Sequence, residues 1–330
     1  MSTPTRPGSG RIPAGPPARP RSVRAKAPGK VNVSLSVGPA RPDGYHSVAS
    51  VYLAVSLFEE VTATTTAEPG VTVSLSPEST LDLEGAEIPL DERNLAVRAA
   101  RLMAEVSEKA TGVHLEITKR VPVAGGMGGG SADAAATLLA CDALWDSGLS
   151  KEELAHLAAE LGADVPFALL GGAAVGLGVG DRLSPALASA RLDWVLVPAD
   201  YGLSTPAVFA ELDRLRGAEG IDVPEPTEVE AGILAALRSG DSGGLSHLLV
   251  NDLQRAAISL APQLRDTLGW ADSHGALASL VSGSGPTVAV LVRDAAAAAE
   301  TVASLAHLGV EAHAVHGPVP GARILSDTLL

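Results

Sequence analysis

Cysteine, aromatic residues and long apolar runs are all scarce in this sequence of 330 residues. Cys141 is its single cysteine, which excludes an internal disulfide and is typical of a protein in a reducing cytoplasm. No stretch of 18 or more apolar residues occurs, so the sequence predicts no membrane span. Aromatic residues make up only 3% of the chain while 46% is hydrophobic, so the core must be packed with Ala, Val and Leu.

Acidic residues are missing from one end of the chain. The first 30 residues hold seven of the 24 Lys and Arg but none of the 38 Asp and Glu, which leaves 17 basic against 38 acidic side chains in the rest. A body this acidic repels phosphate backbones at long range, so the sequence predicts no nucleic-acid partner. Any phosphate that the protein binds must therefore be held by a local site.

The order of the predicted elements indicates an α+β protein in three segments. Residues 1–22 contain six prolines and little apolar content, and we interpret them as a disordered Pro/Arg-rich leader that lacks the apolar core of a secretory signal. Alternating β-branched stretches follow, and then a segment from Asn94 that is typical of a helix ending at Gly112. We place two domains after the leader, over residues 23–183 and 184–330.

The most informative stretch is PVAGGMGGGSADAA, in which five of the six residues from Gly125 to Gly130 are glycine. A strand is predicted before this stretch and a helix after it. Backbone N–H groups in such a loop, together with the positive end of the helix dipole, form an anion site. The stretch is not a Walker A loop, because no lysine follows Gly130, and the dinucleotide fingerprint G-x-G-x-x-G fails in every register.

Three stretches resemble the three motifs of the GHMP kinases, and they occur in the family's order. The glycine loop resembles the second motif, APGKVNVSLSVG from Ala27 the first, and VSGSGPTVAVL from Val281 the third. The resemblance covers nearly everything after residue 23. It implies the two-part α+β GHMP kinase fold, with a ribosomal-protein-S5-like N-terminal half and a ferredoxin-like C-terminal half. It also implies ATP as the phosphoryl donor, with Mg²⁺ carried by ATP and no separate metal site.

The same resemblance implies which residues bind ATP. The glycine loop and the start of its helix are expected to cradle the phosphates, and Asn94 and Lys119 match positions that line the adenine pocket. Ser131 is one candidate for the protein oxygen that meets Mg²⁺. The expected ATP-binding residues are Asn94, Lys119, Pro122, Gly125, Gly126, Met127, Gly128, Gly129, Gly130 and Ser131.

Lys30 and Asp164 match the catalytic positions of the family. Phosphoryl transfer needs in-line positioning and charge neutralisation more than covalent chemistry. Asp164 is expected to accept the proton of the acceptor hydroxyl. Lys30 is expected to keep Asp164 ionised and to neutralise charge on the migrating phosphoryl group. Asn32, two residues along the same predicted strand, is expected to contact the substrate.

Further stretches resemble the family members that phosphorylate the 2-hydroxyl of a cytidine diphosphate-linked methylerythritol in the non-mevalonate isoprenoid pathway. These are RPDGYHSV, GADVPFAL and GLSTPAVFAELD. An aromatic ring can stack on a pyrimidine and an imidazole can bond its edge, so Tyr45 and His46 are expected to hold the cytosine. The other expected substrate-binding residues are Asn32, Thr205, Ser282, Gly283, Ser284 and Gly285.

Two other functions fit parts of this pattern. One is a different small-molecule kinase on the same scaffold, of the homoserine or mevalonate type, for which Tyr45 and His46 would have no evident use. The other is a non-catalytic nucleotide sensor, which would not need both Lys30 and Asp164. We expect a cytoplasmic enzyme with a small-molecule substrate, present as a monomer or a weak homodimer.

Overall fold

The structure is a computed structural model that describes residues 20–81, 88–123 and 125–329. Within these residues the chain forms twelve strands and ten α-helices, arranged as two sheets with helices packed against them. The strands are β1 (Arg21–Ala40), β2 (His46–Thr66), β3 (Val71–Leu75), β4 (Gly112–Thr118), β5 (Ala173–Leu177), β6 (Arg182–Ala186), β7 (Leu192–Val197), β8 (Val250–Asn251), β9 (Ala278–Val281), β10 (Val288–Val292), β11 (His313–Gly317) and β12 (Arg323–Leu329). The helices are α1 (Leu95–Val106), α2 (Gly129–Leu144), α3 (Lys151–Leu161), α4 (Val165–Leu170), α5 (Thr205–Glu219), α6 (Ala231–Ser239), α7 (Ser242–Ser246), α8 (Gln254–Leu260), α9 (Leu264–Ser273) and α10 (Ala295–His307).

Two long antiparallel strands, β1 and β2, form the centre of the larger sheet. The sheet runs in the order β12, β1, β2, β4, β3, with β5 and β6 continuing from β2, and β8 lying parallel to β1. The pairing of β1 with β2 shifts register between Pro28 and Lys30 and again between Asn32 and Ser34. Irregularities of this kind re-aim side chains and are frequent beside functional sites. They place Lys30 and Asn32 where the ladder is interrupted.

A layer of small side chains joins this sheet to α1 and α2. The buried residues of α2 lie on all sides of the helix, and five of the eleven are alanines. Alanine has no side-chain entropy to lose and allows neighbouring elements to approach closely. The prediction of a core built from Ala, Val and Leu is therefore confirmed, and Cys141 is one of its buried members.

The predicted end of α1 at Gly112 is wrong. The helix ends at Val106, where the N–H of Ser107 donates to the carbonyl of Met103 at 3.1 Å, and Gly112 opens β4. A Cβ atom at Gly112 would lie 1.8 Å from the carbonyl oxygen of Glu68. Glycine is needed there because two backbone segments approach closely, and its role is unrelated to helix capping.

The smaller sheet has the order β11, β7, β10, β9, with every neighbouring pair antiparallel. Helices α5 to α9 lie between β7 and β9 in the sequence, and α10 connects β10 to β11. This is the β-α-β-β-α-β arrangement of a ferredoxin-like half with extra helices in its first connection. The expected α+β architecture is confirmed.

The two halves are interleaved along the chain. β6 crosses the boundary that we placed between residues 183 and 184, and β8 and β12 return from the second half to the larger sheet. Arg21 and Ser22, which we assigned to the leader, already pair with β12, and Ser22 also pairs with β2. Residues 1–19 lie outside the described residues. The division into domains remains a prediction. Both of its proposed boundaries fall inside a strand of the larger sheet.

Candidate active site

A cleft of about 580 Å³ lies between the larger sheet and the second half of the chain. It brings together the glycine loop, the start of α2, the bulged part of β1 and residues from α5 and the loop after β9. Fifteen of the predicted site residues line it. They are Lys30, Asn32, Asn94, Lys119, Pro122, Gly125, Gly126, Gly128, Gly129, Gly130, Ser131, Asp164, Thr205, Gly283 and Ser284.

The glycine loop needs its glycines for two reasons. Gly126 and Gly128 have φ values of +73° and +72°, which residues with a Cβ atom rarely adopt. A Cβ atom at Gly126 would also lie only 2.1 Å from the carbonyl oxygen of Ser282. The glycine loop therefore packs directly against the third motif. This close approach explains why the loop contains more glycines than a simple turn would need.

Helix α2 begins without a side-chain cap. Its N-cap is Gly128 in the left-handed conformation, and the N–H of Ala132 donates to the Gly128 carbonyl at 2.9 Å. The N–H groups of the first turn of α2 are therefore free to face the cleft, at the end of the helix where its dipole is positive. Gly130 and Ser131 lie in that turn and line the cleft. This arrangement can hold the phosphates of a nucleotide.

Lys30, which lies in β1, connects this strand to the glycine loop. Its Nζ donates to the Gly126 carbonyl at 2.7 Å and to Asn32 Oδ1 at 2.6 Å, and it lies 3.8 Å from Asp164 Oδ2. Burial lowers the pKa of Lys30, and the nearby charge of Asp164 opposes that shift. Lys30 thus bridges the glycine loop and the Asp164 carboxylate. The amide of Asn32 in turn donates to Ser50 Oγ at 2.8 Å.

The third motif closes the other side of the cleft. Gly283 and Ser284 line it, whereas Ser282 and Gly285 are buried behind them and hold the turn. Asn251, which the sequence analysis missed, donates its amide to the carbonyls of Val281 and Gly283, both at 2.7 Å. It lies in a strand of two residues, and nothing in its sequence neighbourhood marks it.

Thr205 was predicted as a substrate contact, and it introduces a functional face of α5. The Thr205 hydroxyl lies 2.8 Å from the Ser284 hydroxyl. Phe209 follows one turn later and lines the cleft, and Asp213 follows after a further turn. Residues four apart share a helix face. That spacing from Thr205 could have revealed Phe209 and Asp213, which the sequence analysis did not identify.

Tyr45 and His46 do not line the cleft. The Tyr45 side chain lies on the turn after β1 and is 66% exposed. His46 is buried, its Nε2 lies 2.9 Å from Asp213 Oδ1, and its ring centroid lies 4.9 Å from that of Phe209. His46 therefore reaches the cleft only through Phe209. The expectation that Tyr45 and His46 hold the cytosine remains a prediction.

Three predicted ATP-binding residues have their polar groups or side chains occupied within the protein. Asn94 caps α1 by accepting from the N–H of Ala96, and its amide donates to the carbonyl of Pro89. The ammonium of Lys119 is held by two carboxylates. Met127 is fully buried in the core, although its carbonyl accepts from the N–H of Lys30 at 3.0 Å. The assignment of Met127 to the ATP site remains a prediction.

Two observations bear on metals and membranes. Among the described residues, no group of three or more His, Cys, Asp or Glu side chains is arranged to hold a metal ion. None of the helices in the same part of the chain combines the length and hydropathy needed to cross a bilayer.

Comparison with known proteins agrees with this geometry. The model of the GHMP kinases N terminal domain matches residues 94–172, and that of the GHMP kinases C terminal domain matches residues 233–310. The chain is 74% identical over 310 residues to the 4-diphosphocytidyl-2-C-methyl-D-erythritol kinase of Paenarthrobacter aurescens (strain TC1), covering 94% of this chain and 98% of that protein. It is 50% identical over 306 residues to the enzyme of the same name from Streptomyces coelicolor, covering 92% of this chain and 99% of that protein.

Solved structures of GHMP kinases have the same fold as this chain. A crystal structure of 4-(cytidine 5'-diphospho)-2C-methyl-D-erythritol kinase superposes with a TM-score of 0.71 at 32% identity, covering 89% of this chain and 98% of that chain. A homoserine kinase from Cytophaga hutchinsonii has a TM-score of 0.68 at 19% identity, covering 92% and 97%, which shows a shared fold only. The chain belongs to the GHMP kinase family. Within it, the chain belongs to the group of 4-diphosphocytidyl-2-C-methyl-D-erythritol kinases.

Proposed function

We propose that this protein transfers the γ-phosphoryl group of ATP to the 2-hydroxyl of 4-diphosphocytidyl-2-C-methyl-D-erythritol, giving the 2-phosphate and ADP. The observation that carries the proposal is the meeting of two glycine loops, a helix N-terminus and the Lys30–Asp164 pair in one cleft. The relatives that bear the name of this kinase cover almost the whole chain. The reaction belongs to the methylerythritol phosphate route to isoprenoid precursors.

The phosphates of ATP lie along the glycine loop and the start of α2. The free N–H groups of the first helical turn and the dipole bind the negative charge. Gly126, held by Lys30 and by the third motif, fixes the path of the loop before the nucleotide arrives. Because the donors are already in place, little reorganisation is needed when charge moves in the transition state.

Mg²⁺ is expected to accompany ATP. This cation prefers oxygen ligands, keeps several waters and is usually held by phosphates with one or two protein oxygens. The hydroxyl of Ser131 fits that preference, because it lies in the first turn of α2 and lines the cleft. When bound, the cation neutralises charge on the phosphates.

Asp164 and Lys30 act on the acceptor hydroxyl. Asp164 lies just before α4 with its side chain 31% exposed, so it can meet a hydroxyl that enters the cleft. Its carboxylate orients that hydroxyl and accepts the proton as the oxygen attacks the γ-phosphorus. The Lys30 ammonium, 3.8 Å away, stabilises the carboxylate and the negative charge on the phosphoryl group.

The cytosine is expected to stack on Phe209. Phe209 and Tyr52 are the aromatic rings among the described residues that line the cleft, and Phe209 adjoins Thr205 and the third motif. His46 supports its ring from behind. Asp213 is an acceptor only, so His46 donates to it from Nε2, and this bond fixes the imidazole behind Phe209. Tyr45 offers an exposed ring beside this end of the cleft.

The test is ADP release from ATP and Mg²⁺ with three acceptors: the cytidine substrate, homoserine and mevalonate. We expect turnover only with the cytidine substrate, and loss of turnover in Asp164→Ala. Turnover with another alcohol would retain the phosphate site and contradict the assignment of the acceptor. Absence of turnover with all three acceptors, despite ATP binding, would favour a nucleotide sensor. Light scattering would test the expected monomer or weak homodimer in the same preparation.

A further inference from the structure

Three buried charged side chains lie directly behind the phosphate loop. Lys119 Nζ is 2.6 Å from Glu59 Oε1 and 2.7 Å from Asp133 Oδ2. All three residues are almost completely buried, and Glu59 is fully inaccessible to solvent. They come from β2, from the segment after β4 and from α2. This buried triad therefore joins the three elements between which the glycine loop is suspended.

Glu59 makes a second set of contacts, with the backbone of the loop itself. Its Oε2 accepts from the N–H of Arg120 at 3.0 Å, and its Oε1 accepts from the N–H of Val121 at 3.3 Å. A Cβ atom at Gly129 would lie 3.0 Å from Glu59 Oε1. One carboxylate thus touches the chain where it enters the phosphate loop and again where α2 begins.

The contacts of Glu59 suit a carboxylate, although burial and the nearby charge of Asp133 raise its pKa to about 8. Each of the three hydrogen-bonding partners of Glu59 is a donor, so an ionised carboxylate, which only accepts, fits all of them. Burial alone would lower the pKa of Lys119, but the charges of Asp133 and Glu59 outweigh it and the pKa is raised. Lys119 is therefore charged, and its ammonium lies between the carboxyl groups of Glu59 and Asp133.

Buried ion groups of this kind contribute little net stability, because removing the charges from water consumes most of the Coulomb gain. Their arrangement here suits a geometric role. We propose that Glu59 is a positioning residue for phosphoryl transfer: it fixes both ends of the phosphate loop, and Lys119 and Asp133 hold it in place. The inference rests on the proposed use of this loop to bind ATP.

The test separates the phosphates from the rest of the nucleotide. Glu59→Gln keeps the shape of the side chain but turns one end into a donor, which then faces Lys119 or a backbone N–H. By calorimetric titration with Mg²⁺ present, we expect ADP to bind about 10-fold more weakly than to wild type, while adenosine affinity changes less than about 2-fold. Circular dichroism and thermal unfolding establish that the variant is folded.

A second variant covers the case in which Glu59→Gln does not fold. Asp133→Asn leaves every contact of Glu59 and changes only the second partner of Lys119, so we expect a smaller loss of about 3-fold, again for ADP and not for adenosine. Glu219→Gln is the matched control, because it makes the same chemical change in an exposed pair with Arg255 and should leave both affinities unchanged.

Equal losses for ADP and adenosine in folded variants would overturn the inference, as would unchanged ADP binding in both. A wild-type protein that binds no ADP would refute the proposed function itself, since that result does not depend on Glu59. A phosphate-selective loss in the order Glu59→Gln, then Asp133→Asn, with none in the control, is the supporting result.

Discussion

The two ends of the cleft differ in how they are built. At the phosphate end, the loop is held before any ligand binds: Lys30 and Glu59 bond its backbone, and the third motif packs against Gly126. At the pyrimidine end, Phe209 offers one ring, while Tyr45 is exposed to solvent. The part that we assign to charge in the transition state is therefore fixed, and the part that we assign to recognition of the base is more open.

The difference follows from what each end must do. Phosphoryl transfer gains most from donors that need no reorganisation, since their alignment counts fully in the transition state. Base recognition only binds, and a stacking face works over a range of positions. Substitutions at the phosphate end should therefore lower kcat, whereas substitutions at the pyrimidine end should raise KM for one substrate.

The largest effect is expected from Lys30→Met. It removes the cation beside Asp164 and the bond to the Gly126 carbonyl, so we expect kcat to fall by on the order of 10² to 10³. Steady-state kinetics with both substrates varied will measure it. Lys151→Met, an exposed residue at the start of α3, is the control and should leave kcat unchanged. A change confined to KM would contradict the role given to Lys30.

Gly126 and Gly130 differ in the space that is open to an added Cβ atom. Gly126→Ala introduces a Cβ atom 2.1 Å from the Ser282 carbonyl at a φ of +73°, so we expect a loss of about 2 kcal/mol or more in the free energy of unfolding. In Gly130→Ala the nearest atom is Leu95 Cδ1 at 3.6 Å, and an alanine in a helix should stabilise by up to about 1 kcal/mol. Urea denaturation of both variants will measure the difference. Equal stabilities would show that the loop adapts and is not fixed.

Phe209→Ala tests the pyrimidine end. Loss of one stacking face should raise KM for the cytidine substrate by about 10-fold, because such stacking contributes about 1–3 kcal/mol. KM for ATP serves as the internal control and should stay within about 2-fold. If both KM values rise together, Phe209 supports the cleft as a whole and the contrast between its ends fails.

The smallest effect concerns the outer face of α5. Hydrogen bonds from Arg214 and Ser259 hold the pKa of Glu211 at about 2, below its ordinary value. A carboxyl whose pKa is lower in the folded state stabilises the fold above its unfolded pKa and loses that contribution as pH falls towards the folded one. The stability difference between wild type and Glu211→Gln should therefore shrink between about pH 4.5 and pH 2. Acid titration followed by circular dichroism will measure it, and a constant difference would contradict the expectation.

The sequence predicted the family and the fold because the stretches that indicate them are each short and local. The glycine loop, Lys30 and the third motif each lie in a short stretch with recognisable spacing, and the family and the α+β fold assigned from them are confirmed by the comparisons. The roles of individual residues remain predictions. Local spacing also agrees with the structure at the start of α3, where Ser150 and Glu153, three residues apart, form a reciprocal capping box.

The pyrimidine end and the buried triad depend on contacts between distant segments. His46 meets Asp213 across 167 positions of the chain, a pairing that no local pattern encodes. Glu59 and Glu60 are identical neighbours in a strand, and their side chains point to opposite faces. One is fully buried against Lys119 and the other is partly exposed beside Arg24 and Arg120, a difference that arises only when the sheet is assembled.

The return of β12 to the larger sheet has a consequence for synthesis of the protein. β12 pairs with the first residues of β1, so two strands that are far apart in the sequence complete one sheet. During translation, the first residues of β1 therefore have one edge unpaired until β12 has been synthesised. Unpaired edges are templates for association with other chains, so the nascent polypeptide is open to misassembly along this edge until β12 pairs with it.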